Sequence, residues 1–267
     1  MIEKFFSQKD TSRSPTLFPF PVLASAPEIG IEAGVMGLYS FYTDKNDPLA
    51  KVSTVSATFT ATTKKQTNFK LANDIWTRNN KYHFTNNIRL KNYPADFYGI
   101  GNNTLQENKI LLDERRFQFD VGVEKKISKQ FYSGLKISYD QYRYTNNNNE
   151  TVLPPDTLYG HNGGKNFNFG VQEILDNRNN NTYTTSGYWL KVYYNYSPGW
   201  FGNNNYNGSY IRANFSNFQS ITKNIVFGVN ADYQSYLSNP VPFYLLPQLG
   251  NDQMMRGYYQ GRYRDRS

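Results

Sequence analysis

The 267-residue chain carries 23 Tyr and 19 Phe against a hydrophobic fraction of only 38%, and its lack of cysteine excludes thiolate metal sites, iron–sulfur clusters, cysteine nucleophiles and disulfide frameworks together. The formal net charge of +8 comes from scattered Lys and Arg, which reads as a solvated surface and leaves no footprint for nucleic acid. No run of about 18 apolar residues occurs, so no membrane-spanning helix is expected.

Residues 1–15 are polar and are expected to be disordered or a linker. After them come segments of roughly ten residues with period-two alternation, the spacing of a strand with one greasy and one polar flank. Leu17-Phe18-Pro19-Phe20-Pro21-Val22-Leu23 is the candidate first strand, and its prolines suit only an edge. Weaker copies run through about 28–43, 50–62, 67–77 and 81–92. Four later segments are clean: Phe117, Phe119, Val121 and Val123 alternate with Gln118, Asp120, Gly122 and Glu124. Leu135, Ile137 and Tyr139 alternate with Lys136, Ser138 and Asp140. Tyr188, Leu190, Val192, Tyr194 and Tyr196 alternate with Trp189, Lys191, Tyr193 and Asn195. Ile225, Phe227, Val229, Ala231 and Tyr233 alternate with Val226, Gly228, Asn230 and Asp232. Further weak copies lie at about 166–176 and 208–218.

A water-soluble sandwich would show the same alternation with its apolar face inward, so the pattern alone leaves two folds open. Repetition without helical periodicity favours an up-and-down meander. The high aromatic content fits the girdles where a membrane barrel meets water. Connections near Arg78–Lys81, Ile127–Gln130 and Ile221–Asn224 are tight, whereas about 93–112, 145–165, 197–207 and 238–262 are long, polar and rich in Asn, Gly and Pro. The expected fold is all-β, an antiparallel up-and-down transmembrane β-barrel with the long loops outside the cell. The polar flanks then place Glu32, Arg89, Lys91, Asp120, Lys136, Asp140, Lys191, Arg212 and Asp232 in the lumen.

The most specific local run is Leu249–Asp265, which contains Arg256-Gly257-Tyr258. Read physically, Gly257 permits tight backbone, Arg256 offers a fixed fork of donors, and Tyr258 can pack beside it. Either this is a basic external loop, or the arginine enters the lumen and needs a carboxylate there. A second block runs from Gly170 through Asp176-Asn177-Arg178-Asn179 to Gly187-Tyr188-Trp189-Leu190.

Taken in order, these blocks resemble the BamA/TamA-type bacterial surface antigen family. Arg256-Gly257-Tyr258 resembles the tip of its sixth extracellular loop. Asp176 and Arg178, with Gly187 opening the next strand, resemble its conserved turn, with Asn177 and Asn179 as departures. Phe18–Leu23, continuing to Pro27-Glu28-Ile29-Gly30, resembles the start of its barrel, and Tyr98-Gly99-Ile100-Gly101-Asn102 is similar to another of its segments. The resemblance implies a sixteen-stranded barrel of which about ten or eleven strands fall between residue 16 and Ser267, so an incomplete barrel ending at the sixth loop is expected. Met1–Ser7 lacks the apolar run of a secretory signal, which leaves two alternatives: the true N-terminus of an exported form lies upstream of Met1, or the chain is not of this family.

The implied function is insertion or translocation of proteins at the bacterial outer membrane, with outer-membrane lipid and nascent outer-membrane proteins as partners and without cofactor, metal or covalent catalysis. A passive pore shares the alternation and the lumen charges. An outer-membrane hydrolase would have to use His83 or His161; His83 falls on a polar flank with Thr85, Asn87 and Arg89, His161 in a Gly-Asn loop, and no Gly-Xaa-Ser-Xaa-Gly elbow is present.

Overall fold

The computed structural model describes residues 13–26, 29–145, 158–202, 205–250, 255, 257–258 and 261–267. Eleven strands form one sheet in which each pairs antiparallel with its neighbour in sequence. They are β1 (Thr16–Ala26), β2 (Gly30–Phe41), β3 (Ser53–Thr62), β4 (Thr67–Trp76), β5 (Tyr82–Phe97), β6 (Ile110–Lys126), β7 (Phe131–Thr145), β8 (Gly163–Asp176), β9 (Gly187–Ser197), β10 (Gly208–Ser220) and β11 (Val226–Tyr236). A separate pair, β12 (Gln248–Leu249) with β13 (Tyr263–Arg264), lies in the final segment. The meander expected from the alternation is thus present, with the proline-bearing stretch as its first strand. Residues 1–12, expected to be disordered or a linker, lie outside the described residues, as do Pro27 and Glu28.

The polarity of the sheet separates the two folds left open by the sequence. On β7, Leu135 and Ile137 are 67% and 47% exposed, while Ser138 and Asp140 on the other flank are 4% and 9% exposed. Val35, Phe59, Leu90, Phe169 and Val171 are likewise exposed, whereas Glu114, Glu124, Asn166, Asn168 and Gln172 are buried. Greasy flanks face outward and polar flanks surround an interior, the inverse of a sandwich core. The pattern fades on β11, where residues 226–231 are exposed on both flanks because β11 has a neighbour on one side only.

The sheet curls without closing. Among the described residues, β1 and β11 each keep one unpaired edge. Pro19 and Pro21 stand opposite Gly37 and Val35 in an unbroken β1–β2 register. The Ile31 carbonyl of β2 accepts from Thr63 N, so Val35 and Gly37, an even number of residues on, also turn their backbone groups toward β3, and the prolines opposite them turn theirs to the open edge, where the ladder loses nothing.

Two expectations about connections need correction. The stretches 93–97 and 110–112, expected as loop, belong to β5 and β6, with Pro94 opposite Asp113. Above the greasy band the outward flank no longer has to be apolar, so the alternation disappears while the ladder continues. Loop lengths also fail to alternate cleanly. Connections 98–109, 146–162 and 198–207 share one end of the sheet, called here the loop end, with the segment after β11. That end also holds the short 27–29 and 63–66, and the opposite turn end holds the longer 42–52 and 177–186.

Candidate functional site

The interior is lined by charges that the chain pairs with one another. Lys91 meets Glu114 at 3.2 Å, Arg116 meets Asp140 at 2.7 Å, Lys136 meets Asp120 at 3.6 Å, Lys191 meets Glu124 at 3.2 Å and Arg212 meets Asp232 at 2.8 Å. Glu32 and Arg89 also lie on inward flanks, and Arg89 Nε donates to Asn68 Oδ1 at 2.9 Å. Seven of the nine lumen charges read from the polar flanks are therefore held in ion pairs, and Glu32 and Arg89 face the same interior. Most pair across adjacent strands, but the Lys191–Glu124 contact joins β9 to β6 and requires the sheet to be rolled.

At the loop end the interior is filled. Tyr142 and Tyr144 of β7, Tyr236 of β11, Phe97 of β5 and Leu112 of β6 enclose Val241, Phe243, Tyr244, Leu245 and Leu246 of the segment after β11. Phe243 is 1% exposed, its ring 5.3 Å from Phe97 and 4.9 Å from Tyr144. Arg264 is buried beneath it, donating from Nη1 to the Phe243 carbonyl at 2.9 Å with its guanidinium 5.3 Å from the Phe243 ring. The final stretch crosses the mouth. Gly101 N donates to the Arg264 carbonyl at 2.8 Å, Tyr236 N donates to the Arg266 carbonyl at 3.0 Å, and Arg262 donates from Nη1 and Nη2 to Oγ1 and O of Thr104 at 2.7 Å each.

Arg256, the arginine singled out in the sequence, lies outside the described residues. Gly257 and Tyr258 stand at the surface of this segment, the Tyr258 ring 5.6 Å from Tyr263. The arginines seen to be held are Arg262 and Arg264, within the same run. The seated stretch 241–246 belongs to a connection expected to be polar. Its signal is the unalternating apolar run Val241-Pro242-Phe243-Tyr244-Leu245-Leu246, too long and greasy for a solvated loop.

At the turn end a second closure crosses the interior. Asp176, the last residue of β8, accepts from Arg178 Nε and Nη2 at 2.9 and 3.0 Å and from Lys51 Nζ at 2.6 Å. Lys51 comes from connection 42–52, its ammonium 4.1 Å from the Trp76 ring and 5.0 Å from Tyr132. Burial holds that ammonium below the usual lysine range, against the opposing pull of Asp176. Beside it, Val52 N donates to Asn181 Oδ1 at 3.2 Å and Asn181 Nδ2 returns to the Val52 carbonyl at 3.1 Å. The departures Asn177 and Asn179 fasten the turn themselves: Asn177 Oδ1 accepts from Tyr188 N at 2.6 Å, and Asn179 Oδ1 from Thr185 N and Ser186 N at 3.1 Å.

Asp176, Arg178 and Gly187 are thus brought into one turn. Gly187 adopts φ +100°, and a Cβ there would lie 2.5 Å from the Asn177 carbonyl oxygen. Gly187→Ala is expected to cost about 1–3 kcal/mol through backbone strain and that clash. The check is the urea midpoint of the micelle-folded chain, with Gly202→Ala, whose Cβ would meet open space, separating the clash from the positive φ alone.

His83 and His161 do not meet. His83 opens β5 at the turn end, stacked on Trp76 at 3.8 Å, with Nε2 3.2 Å from Asp74 and Nδ1 3.1 Å from Glu124. His161 lies in the β7–β8 connection at the loop end.

No protein-family model matches the chain, and no curated protein sequence does. Among solved structures the chain is similar to the crystal structure of BamA from Haemophilus ducreyi lacking POTRA domains 1–3, with a TM-score of 0.52 and 13% identity over 93% of this chain and 46% of that one. At this identity the likeness is one of fold, that of a BamA-like β-barrel, and the chain spans under half of that structure's length.

Proposed function

We propose that the chain forms part of an outer-membrane β-barrel that inserts or translocates proteins at that membrane, with lipid around its wall, nascent outer-membrane proteins as clients and no covalent step. The observation that carries this reading is the inverted polarity of the sheet, exposed greasy flanks around a charged interior. Fold likeness to the BamA barrel supports it as well. A client strand can be taken up by backbone pairing at an open sheet edge, and its own folding then supplies the energy.

A passive pore is the second reading, and the obstruction at both ends of the interior argues against it. Phe243 and its neighbours occupy the loop end while Lys51, Asp176 and Asn181 bridge the turn end. The expected result of depleting the protein in its host is loss of other barrels from the outer-membrane fraction, read by quantitative proteomics. An unchanged outer-membrane proteome, or large steady conductance of the chain in planar bilayers, would sink the insertion role. Recovery in a soluble fraction would sink the membrane assignment.

A further inference from the structure

We infer that the outer wall of β4–β8, at the upper border of its greasy band, binds the headgroup of an anionic phospholipid, with Arg115 and Arg143 as the clamp. The assignment rests on the membrane reading above and adds a ligand and a site to it. Arg115 follows Phe117, Phe119, Val121 and Val123 on the outward flank of β6. Arg143 follows Leu135, Ile137 and Tyr139 on that of β7, and Lys165 follows Val171, Phe169 and Phe167 on β8. Register puts Arg115 directly opposite Arg143 and Lys165 opposite Gln141, one pleat away. Two exposed cations therefore sit at one level, with a third one pleat below them.

Like charges facing each other across a ladder weaken it unless an anion offsets them. Among the described residues, none pairs with them here. Every inward pair described above gives its cation a carboxylate within 3.6 Å. Among the described residues, Arg115, Arg143 and Lys165 make no ion pair and no side-chain hydrogen bond. Asp113, on the same flank as Arg115, stands one pleat beyond it opposite Thr145 and pairs with neither arginine.

Height and shape agree with a headgroup. From Lys126 at the turn end up to Arg115, β6 rises roughly 28 Å, at ~3.3 Å per residue and a tilt near 40°, against an apolar band about 25 Å tall in membrane barrels. Arg115 therefore reaches the far interface as the band ends. Next to the arginines the wall is hollowed, with a cavity of about 630 Å³ bordered by Phe69, Leu90, Phe117, Arg115 and Arg143. Register arranges it in two tiers, Phe69–Leu90–Phe117 below and Thr67–Asn92–Arg115–Arg143 above. An apolar bed under a paired guanidinium clamp complements an acyl chain under a phosphate; a free anion would leave the bed uncovered.

The test is photo-crosslinking of the full chain in phosphatidylcholine nanodiscs doped with a photoactivatable phosphatidylglycerol. Labelling should fall on β4–β8 peptides, drop roughly fivefold for Arg115→Gln or Arg143→Gln and about 25-fold for both, and survive Arg143→Lys and the distant control Arg78→Gln. Equal labelling of the double variant, or of a photoactivatable phosphatidylcholine, would overturn the site while leaving the membrane reading intact. Suppression by excess inorganic phosphate alone would reduce it to an adventitious anion site. If the chain enters neither nanodisc, the membrane reading fails and takes this site with it.

Discussion

Asp176→Ala should destabilise the folded chain by about 3–5 kcal/mol, because it leaves two charges facing each other in a closed space. The Asp176 side chain is 1% exposed and those of Lys51 and Arg178 are 17% and 18% exposed, so water cannot replace the lost carboxylate cheaply. The cost falls on the tie across the interior as well as on the turn, since Lys51 reaches Asp176 from the far side of β3. Lys51→Met alone should cost less, since Arg178 still compensates Asp176 and the methionine keeps contact with Trp76 and Tyr132. Adding Lys51→Met to Asp176→Ala should recover part of the loss, giving a coupling of about 1–3 kcal/mol in a double-mutant cycle. Urea unfolding of the chain folded in micelles, followed by tryptophan fluorescence, measures all three; Trp76 and Trp189 flank the tie and report its opening. A cost below about 1 kcal/mol for Asp176→Ala would mean the contact behaves as a solvated surface pair.

Where wall and interior have opposite chemistry, the sequence is legible. Leu135–Asp140 alternates residue by residue because each position commits to one side, and the strand, its neighbours and the lumen charges follow from that rule. The rule fails at the loop end. Tyr142, Tyr144 and Tyr236 occupy inward positions where polar residues are expected, because they meet a folded-back segment in place of water. Tyrosine is compatible with a girdle and with a core alike, so the composition does not distinguish the two uses. Val241–Leu246 holds the missing signal, an apolar run inside a Gly- and Asn-rich connection.

The turn end divides similarly. Asp176, Arg178 and Gly187 were legible as a unit because they are close in sequence and resemble a known turn. Lys51 and Asn181, which carry the crossing, were not, since nothing local to 51 or 181 announces a partner on the other side of a rolled sheet. The Arg256 reading stays where the sequence left it, outside the described residues, while Arg262 and Arg264 take the structural duty seen in that run.

Ile137→Arg provides the sharpest separation of a lipid-facing wall from an exposed flank in water. Ile137 is 47% exposed, two pleats from Tyr132–Ser133 at one end and three from Arg143 at the other, so it sits well inside the greasy band. In lipid vesicles the substitution should cost about 2–4 kcal/mol, because a guanidinium there must stay in hydrocarbon or drag water in. Thr145→Arg, on the same flank at the loop-end limit of β7, should cost about 0–1 kcal/mol, since its charge reaches the interface. The depth dependence is the decisive quantity. Were this flank a surface in water, both substitutions would change stability by under about 0.5 kcal/mol and by similar amounts. Refolding from urea into vesicles, with the folded fraction read by altered gel mobility, distinguishes the two outcomes. Equal and negligible costs at both positions would require the greasy flank to be covered by protein or water, and the outward polarity of the sheet would then need an explanation other than lipid.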